Sequence, residues 1–197
     1  MTSVTNGQHS PGRRITRVVL LIAAAAVLST ITLLAAAWAA GPRAAAPRRQ
    51  DGLGFVRLDR PARALRLPSL RGSGTIDLTR SASRPLVLNF WSSTCAPCKT
   101  ETPALVSVAR AMGRKVAFLG IDTADQRGSA MAFIARYQVP YPIAFDPDAS
   151  AAGRYGVPGL PVTFFLSPSG KTILGENVGA LTPGKLRTIL HQLYGVT

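Results

Sequence analysis

Two cysteines are all that this 197-residue chain has, and its histidines also number two, His9 and His191. A structural zinc site takes four ligands, usually from two Cys-x-x-Cys pairs or from added histidines. With no third cysteine the donors are too few, and no metal site is expected. Acidic residues are scarce as well. Asp plus Glu total 9 against 23 Lys plus Arg, a formal charge of +14. Nucleic-acid binders gather such charge into dense blocks with interleaved aromatics. Here the cations are scattered, with one loose Arg-rich stretch from Arg43 to Arg71, and 19 of the 23 are Arg. Nucleic acid is not an expected partner. A compositional bias, or attraction of the juxtamembrane stretch to lipid headgroups, accounts for the excess. There is no internal repeat and no second long apolar run, so no second membrane span is expected.

The one long apolar run is Val18 to Ala40, 23 residues without a charge, preceded by Arg13, Arg14 and Arg17. At about 1.5 Å per helical residue it could cross a hydrocarbon core of about 30 Å. A cleavable signal peptide has a shorter apolar region, roughly 7–15 residues. An uncleaved anchor is therefore the expectation, with cleavage after the small-x-small site Ala37-Trp38-Ala39 as the alternative. The expected organisation is a basic segment at 1–17, a transmembrane signal-anchor at 18–40, a flexible tether at 41–60 and one folded domain at 61–197. The tether reading rests on the Ala, Pro and Arg content of that stretch and its lack of periodicity.

The two cysteines are placed as Cys95-Ala96-Pro97-Cys98, directly after the apolar run Leu86 to Trp91. That run reads as a buried strand. The motif would then open the following helix, with free N–H groups and the positive end of the helix dipole beside Cys95. Such a setting favours a thiolate near neutral pH. It points to dithiol–disulfide exchange, with Cys95 as nucleophile and Cys98 as resolving cysteine. A purely structural disulfide would close a loop too short to restrict the unfolded chain much. A chance pair of buried cysteines does not explain the strand-then-helix setting.

Other elements follow from period and punctuation. Ala64–Leu70 and Thr75–Leu78 flank a Gly-rich turn and read as a hairpin. Strands are expected at Leu86–Trp91, Val116–Ile121, Pro142–Phe145, Val162–Leu166 and Lys171–Val178. Helices are expected from Pro97 to about Met112, from Ser129 to about Tyr137, and over Ala149–Tyr155. Pro103 should kink or break the first of these. Thr182-Pro183 supplies an N-cap and an N1 proline for a last helix ending near Tyr194. The order predicts an α/β domain with a mixed central sheet flanked by helices on both faces, plus an added N-terminal β-hairpin.

With motif and order in place, residues 61–197 resemble the thioredoxin superfamily. They look most like its membrane-anchored, extracytoplasmic thiol-disulfide oxidoreductases of the TlpA/ResA type. The resemblance is carried by Leu88 to Lys99, around the cysteines, and by Tyr155 to Leu166, which includes Gly159-Leu160-Pro161-Val162-Thr163. It implies a thioredoxin-like fold, no bound cofactor, and a cis-proline at Pro161 beside the cysteines. The Leu160 backbone would pair with substrate. It implies that Glu101, about one turn past Cys98, helps move the proton of that cysteine. Asn89 stands where cytoplasmic thioredoxins carry a buried acid. Thr94 departs from the Trp that many members place before the first cysteine.

The implied activity is reduction of protein disulfides outside the cytoplasmic membrane, for example in cytochrome c maturation. The expected partners are protein thiols and disulfides, a membrane electron donor, and the bilayer through the N-terminal span. The location is a single-pass membrane protein with its catalytic domain outside, or a secreted one if the signal is cleaved. A proline before the second cysteine is thioredoxin-like, and the motif lacks the histidine common in strong oxidants. Three alternatives stay open: an oxidase running in reverse, a thiol peroxidase of peroxiredoxin type, and a redox-inert binding module on the same scaffold. The peroxidase type expects a proline seven residues before its reactive cysteine, where this chain has Leu88.

Overall fold

The computed structural model describes residues 54–78 and 83–197. The expected anchor at 18–40 and most of the tether lie outside the described residues. Among the described residues, no helix is long and apolar enough to cross a membrane.

Six strands form one sheet in the order β1-β8-β7-β4-β5-β6. These are β1 (Phe55–Pro61), β4 (Leu86–Trp91), β5 (Ala117–Thr123), β6 (Ile143–Asp146), β7 (Val162–Leu166) and β8 (Thr172–Val178). Strands β4, β5 and β6 run parallel, while β7, β8 and β1 add antiparallel neighbours. Parallel neighbours need a crossover. Helix α1 (Ala96–Met112) joins β4 to β5, and α2 (Arg127–Arg136) joins β5 to β6. Helices α3 (Ser150–Tyr155) and α4 (Pro183–Tyr194) complete the chain. The mixed sheet with flanking helices is the expected architecture.

The central strand β4 is buried at all six positions. Side chains alternate across a strand, so two cores meet there. Leu86, Leu88 and Phe90 face one core, shared with Tyr155 of α3 and with Leu65 and Leu67. Val87 and Trp91 face the other, shared with Leu105 of α1, Phe133 of α2 and Leu186 of α4. Each fully buried Leu or Phe contributes about 1.5–3 kcal/mol. Trp91 stacks on Phe133 with ring centroids 4.5 Å apart. It also lies over Gly120, where an added Cβ would come within 2.8 Å of the indole nitrogen.

The small hairpin β2 (Arg66–Pro68) and β3 (Thr75–Asp77) is antiparallel, as expected. It is attached to the main sheet through a bridge between Ser69 and Ala144 and a bond from Leu70 N–H to the Ile143 carbonyl.

Two expectations need correction. The tether was expected to reach residue 60, yet Phe55–Pro61 is strand β1, paired with β8. Phe55 is fully buried, its ring set against Gly175, where a Cβ would lie 2.5 Å from it. Arg and Pro content hid a period-2 pattern: the burial of this strand alternates along its length. The second correction concerns Pro103, which sits inside α1 without breaking it. Proline removes one N–H from the ladder. The remaining turns, with nine buried residues on this helix, keep it continuous.

Candidate active site

The motif lies where β4 gives way to α1. Cys95 is the N-cap of the helix, in extended conformation. Its sulfur accepts the Cys98 N–H at 3.2 Å, one of the donors a helix start leaves free. Cys95 and Cys98 form a disulfide. Cys95 is half-buried and Cys98 is 1 % exposed. Exposure therefore separates the two sulfurs into one that a partner can reach and one held inside. Thr102 Oγ1 donates to the Cys98 carbonyl at 2.7 Å and anchors the first turns. Thr94, in place of a bulky rim residue, is exposed.

Behind Cys98 lies a closed polar cluster. Asn89 Nδ2 donates to Glu101 Oε1 at 2.6 Å and to Thr163 Oγ1 at 3.0 Å. Leu181 N–H donates to Glu101 Oε2 at 3.0 Å. Glu101 is 1 % exposed. Burial pushes its carboxyl up to about 7, against the opposing pull of the Leu181 and Asn89 donors and of Lys185. Burial in turn lowers the Lys185 ammonium, which the Glu101 charge opposes. A buried carboxyl poised near neutral pH suits proton transfer. Asn89 thus does more than replace an acid: it holds one.

Leu160–Pro161 is a cis peptide. Val162, the next residue, pairs with Phe90, so Leu160 and Pro161 leave β7 at the end of β4 from which Ser92 to Cys95 departs. Leu160 packs against both cores, and Cys95 against the one that contains Cys98. The structure thus gathers Cys95, Cys98, Glu101, Leu160 and Pro161 around one end of the sheet. Trp91 and Phe164 are core residues, at 4 % and 1 % exposure.

A second acidic feature was not anticipated. Asp122, at the end of β5, is fully buried, and among the described residues no donor reaches either of its carboxyl oxygens. Burial pushes its carboxyl up to about 8; the charge of Asp125, a hydrogen bond that protonated Asp122 gives to Asp125, and the charge of Asp146 add to this, and Arg127 opposes it. Asp125 Oδ2 accepts the Ser93 N–H at 2.6 Å and the Ser92 hydroxyl at 3.4 Å. Asp125 lies below the usual carboxylate range, because bonds from Ser93 and the Gln126 N–H outweigh its partial burial. It braces the Ser92–Ser93 approach to Cys95. The available signal was positional: two of only nine acids stand at the carboxyl end of a parallel strand, where α/β sheets place their sites.

Residues 58–173 match the AhpC/TSA family. The chain belongs to that family. Within the AhpC/TSA group it is 34 % identical over 116 residues to "Thiol:disulfide interchange protein DsbE" of Allochromatium vinosum, covering 57 % of this chain and 62 % of that protein. It is 27 % identical over 124 residues to "Thiol-disulfide oxidoreductase ResA" of Bacillus subtilis, covering 62 % of this chain and 63 % of that protein. The matches thus span just under two thirds of the length of these relatives. A solved structure of a secreted Mycobacterium tuberculosis disulfide oxidoreductase, described as homologous to the DsbE of E. coli, superposes with a TM-score of 0.59. It is 28 % identical and covers 66 % of this chain and 96 % of that one. The fold is thioredoxin-like, and the Cys-x-x-Cys pair of a thiol-disulfide oxidoreductase is present.

Proposed function

We propose that this chain reduces protein disulfides outside the cytoplasmic membrane. The observation that carries this reading is the asymmetric pair at the start of α1, with Cys95 reachable, Cys98 buried, and Glu101 held one turn behind. In the reduced protein, Cys95 as thiolate attacks a substrate disulfide. A Cys95–substrate bond forms, the substrate S–S bond breaks, and the released substrate sulfur takes up a proton. Cys98 gives its proton to the Glu101 carboxylate and attacks Cys95. The second substrate sulfur leaves, so the substrate gains two electrons and the Cys95–Cys98 pair loses two. A membrane electron donor then restores the dithiol.

The Leu160 backbone beside Pro161 would pair with the substrate segment. Names of relatives with the words thiol:disulfide interchange support the reaction class, and the secreted relative supports an outward-facing domain. Cytochrome c maturation is the proposed setting, with residues 18–40 as the anchor.

The reduction potential of the Cys95/Cys98 couple in the purified full chain tests the direction. Equilibration in defined thiol buffers, followed by alkylation, should give a value near or below about −270 mV. A value near about −120 mV would make the protein a disulfide-forming oxidase instead.

One second reading has an observation in its favour. The AhpC/TSA match and the buried Ser92, three residues before Cys95, fit a thiol peroxidase. Against it, Leu88 lies inside β4 where that type carries a proline. Consumption of hydrogen peroxide by the reduced chain separates the two.

A further inference from the structure

Beside the redox motif, α1 and α2 enclose a groove of about 320 Å³ lined by Ser93, Lys99, Phe133, Arg136 and Tyr137 among others. A larger groove shares Arg136 and Tyr137 and continues to Arg110 and Gln138. Together they make one track that begins two residues before Cys95 and runs along α1. From Lys99 to Arg110 is 11 helical residues, about 16 Å, or the length of about five residues of extended chain.

The track is cationic, and an acid approaches it only at its head, where Asp125 accepts the Ser93 N–H. Neither groove is lined by an acid. The only carboxylate of α1 is Glu101, which is buried, and α2 has none. Among the described residues none of Lys99, Arg110 and Arg136 forms an ion pair. Two of the cations are held in place. Arg110 Nη2 donates to the Gln138 carbonyl at 3.1 Å and to Gln138 Oε1 at 3.3 Å. Arg136 lies 5.9 Å over the Tyr137 ring. Tyr137 in turn rests against Phe133, with centroids 4.6 Å apart, and Phe133 on Trp91. An aromatic column thus runs from the central strand to the floor of the track.

We propose that this track docks an acidic, extended segment of the polypeptide whose disulfide Cys95 attacks. The inference rests on the disulfide-exchange reading and adds a partner chemistry to it. Carboxylates of the segment meet Lys99, Arg136 and Arg110 in turn, and its side chains lie on Tyr137. Lys99 N–H bonds to the Cys95 carbonyl, so the backbone that carries the first cation is held within one helical turn of the reacting residue. Charge placed this way steers encounter and sets register.

The test uses the reduced full chain and three synthetic peptides. Each carries the same cystine loop, followed by five Glu, five Lys or five Gln. Single-turnover rates are measured at low and high salt. The Glu peptide should react at least about 10-fold faster than the Lys peptide at low salt. That ratio should fall toward one near 1 M salt, where the screening length is about 3 Å. Arg136→Glu should cut the ratio about three- to tenfold. Arg154→Glu makes the same change in net charge at an exposed position of α3, a helix packed on the opposite core, and should leave the ratio within about twofold. A wild-type ratio near one overturns the docking track. So does an Arg154→Glu effect equal to that of Arg136→Glu, because a diffuse field would then explain the preference. Failure of wild type to reduce even the Gln peptide would instead overturn the disulfide-exchange reading.

Discussion

Two carboxyls are buried on the same side of the sheet, and they are treated differently. Glu101 stands behind Cys98 with a donor on each oxygen, from Asn89 and from Leu181. Asp122 stands behind the Ser92–Ser93 approach with no donor on either oxygen among the described residues. Desolvation raises both, to about 7 and about 8. Under the proposed mechanism the difference in partners fits them for different work. A carboxyl with two donors can carry its charge and return it, as a proton-transfer group must. A carboxyl with no donors and acidic neighbours keeps its proton, and leaves Asp125 as the charged brace of the loop.

The sharpest way to break that contrast is to remove each side chain. Glu101→Ala strands two buried donors, each costing about 1–3 kcal/mol when left unsatisfied. Urea unfolding of the oxidised chain should show a loss of about 2–6 kcal/mol. Asp122→Ala strands no donor and should cost distinctly less. Equal losses would mean that the Glu101 cluster contributes packing only.

Next in size is a rate effect. Glu101→Gln keeps the shape but cannot take a proton. Resolution of the Cys95 mixed disulfide by Cys98 should slow by about 10²-fold or more, and the inflection near pH 7 should vanish from the profile. Asp122→Asn should keep that inflection. A profile that loses it in both variants would show the two carboxyls titrating as one unit.

Stability against pH sharpens the contrast further. Both groups bind a proton more tightly folded than unfolded. Their contribution is therefore complete below about pH 4, is lost as pH rises through about 7 and about 8, and is level beyond. While each group titrates, the slope is about 1.4 kcal/mol per pH unit. The oxidised chain should be more stable near pH 5 than near pH 8. Asp122→Asn should raise stability at pH 8 and leave it unimproved at pH 4. A loss of stability in Asp122→Asn at pH 8 with none at pH 4 would show Asp122 ionised in the folded protein.

The smallest expected effect comes from the cap beside the cluster. Thr182 Oγ1 accepts the Lys185 N–H and starts α4 next to Leu181. Thr182→Ala should cost about 1 kcal/mol in urea unfolding. Because Leu181 holds Glu101, it should also shift the pH 7 inflection, whereas Asp122→Asn should not.

Much of this was legible in the chain. The apolar run Leu86–Trp91 and the Thr182-Pro183 start carry local physics that tertiary contacts do not override. The two cysteines were readable from their place between a strand and a helix, and Glu101 through the family resemblance. Strand β1 was missed because only its pairing with β8 gives meaning to the alternation of Phe55, Arg57 and Asp59. The Asn89–Glu101–Leu181 cluster was half legible. Asn89 and Glu101 stood out singly, but the Leu181 N–H reaches Glu101 across 80 residues of chain. Asp122 left only the positional signal of an acid at the end of a strand, since burial of an acid is decided by packing and not by its neighbours in sequence. Pro103 shows the converse, a strong local signal overridden by the packed face of α1.

The most direct test of the central claim is to trap the exchange. Cys98→Ser and Cys95→Ser full chains would be incubated with a cystine-loop peptide and read by intact mass. Cys98→Ser should accumulate a peptide adduct mapped to Cys95, while Cys95→Ser, left with the buried sulfur alone, should form at least about 10-fold less. Equal adducts on both variants, or none on Cys98→Ser, would contradict a reachable, half-buried nucleophile at Cys95 resolved by a buried Cys98.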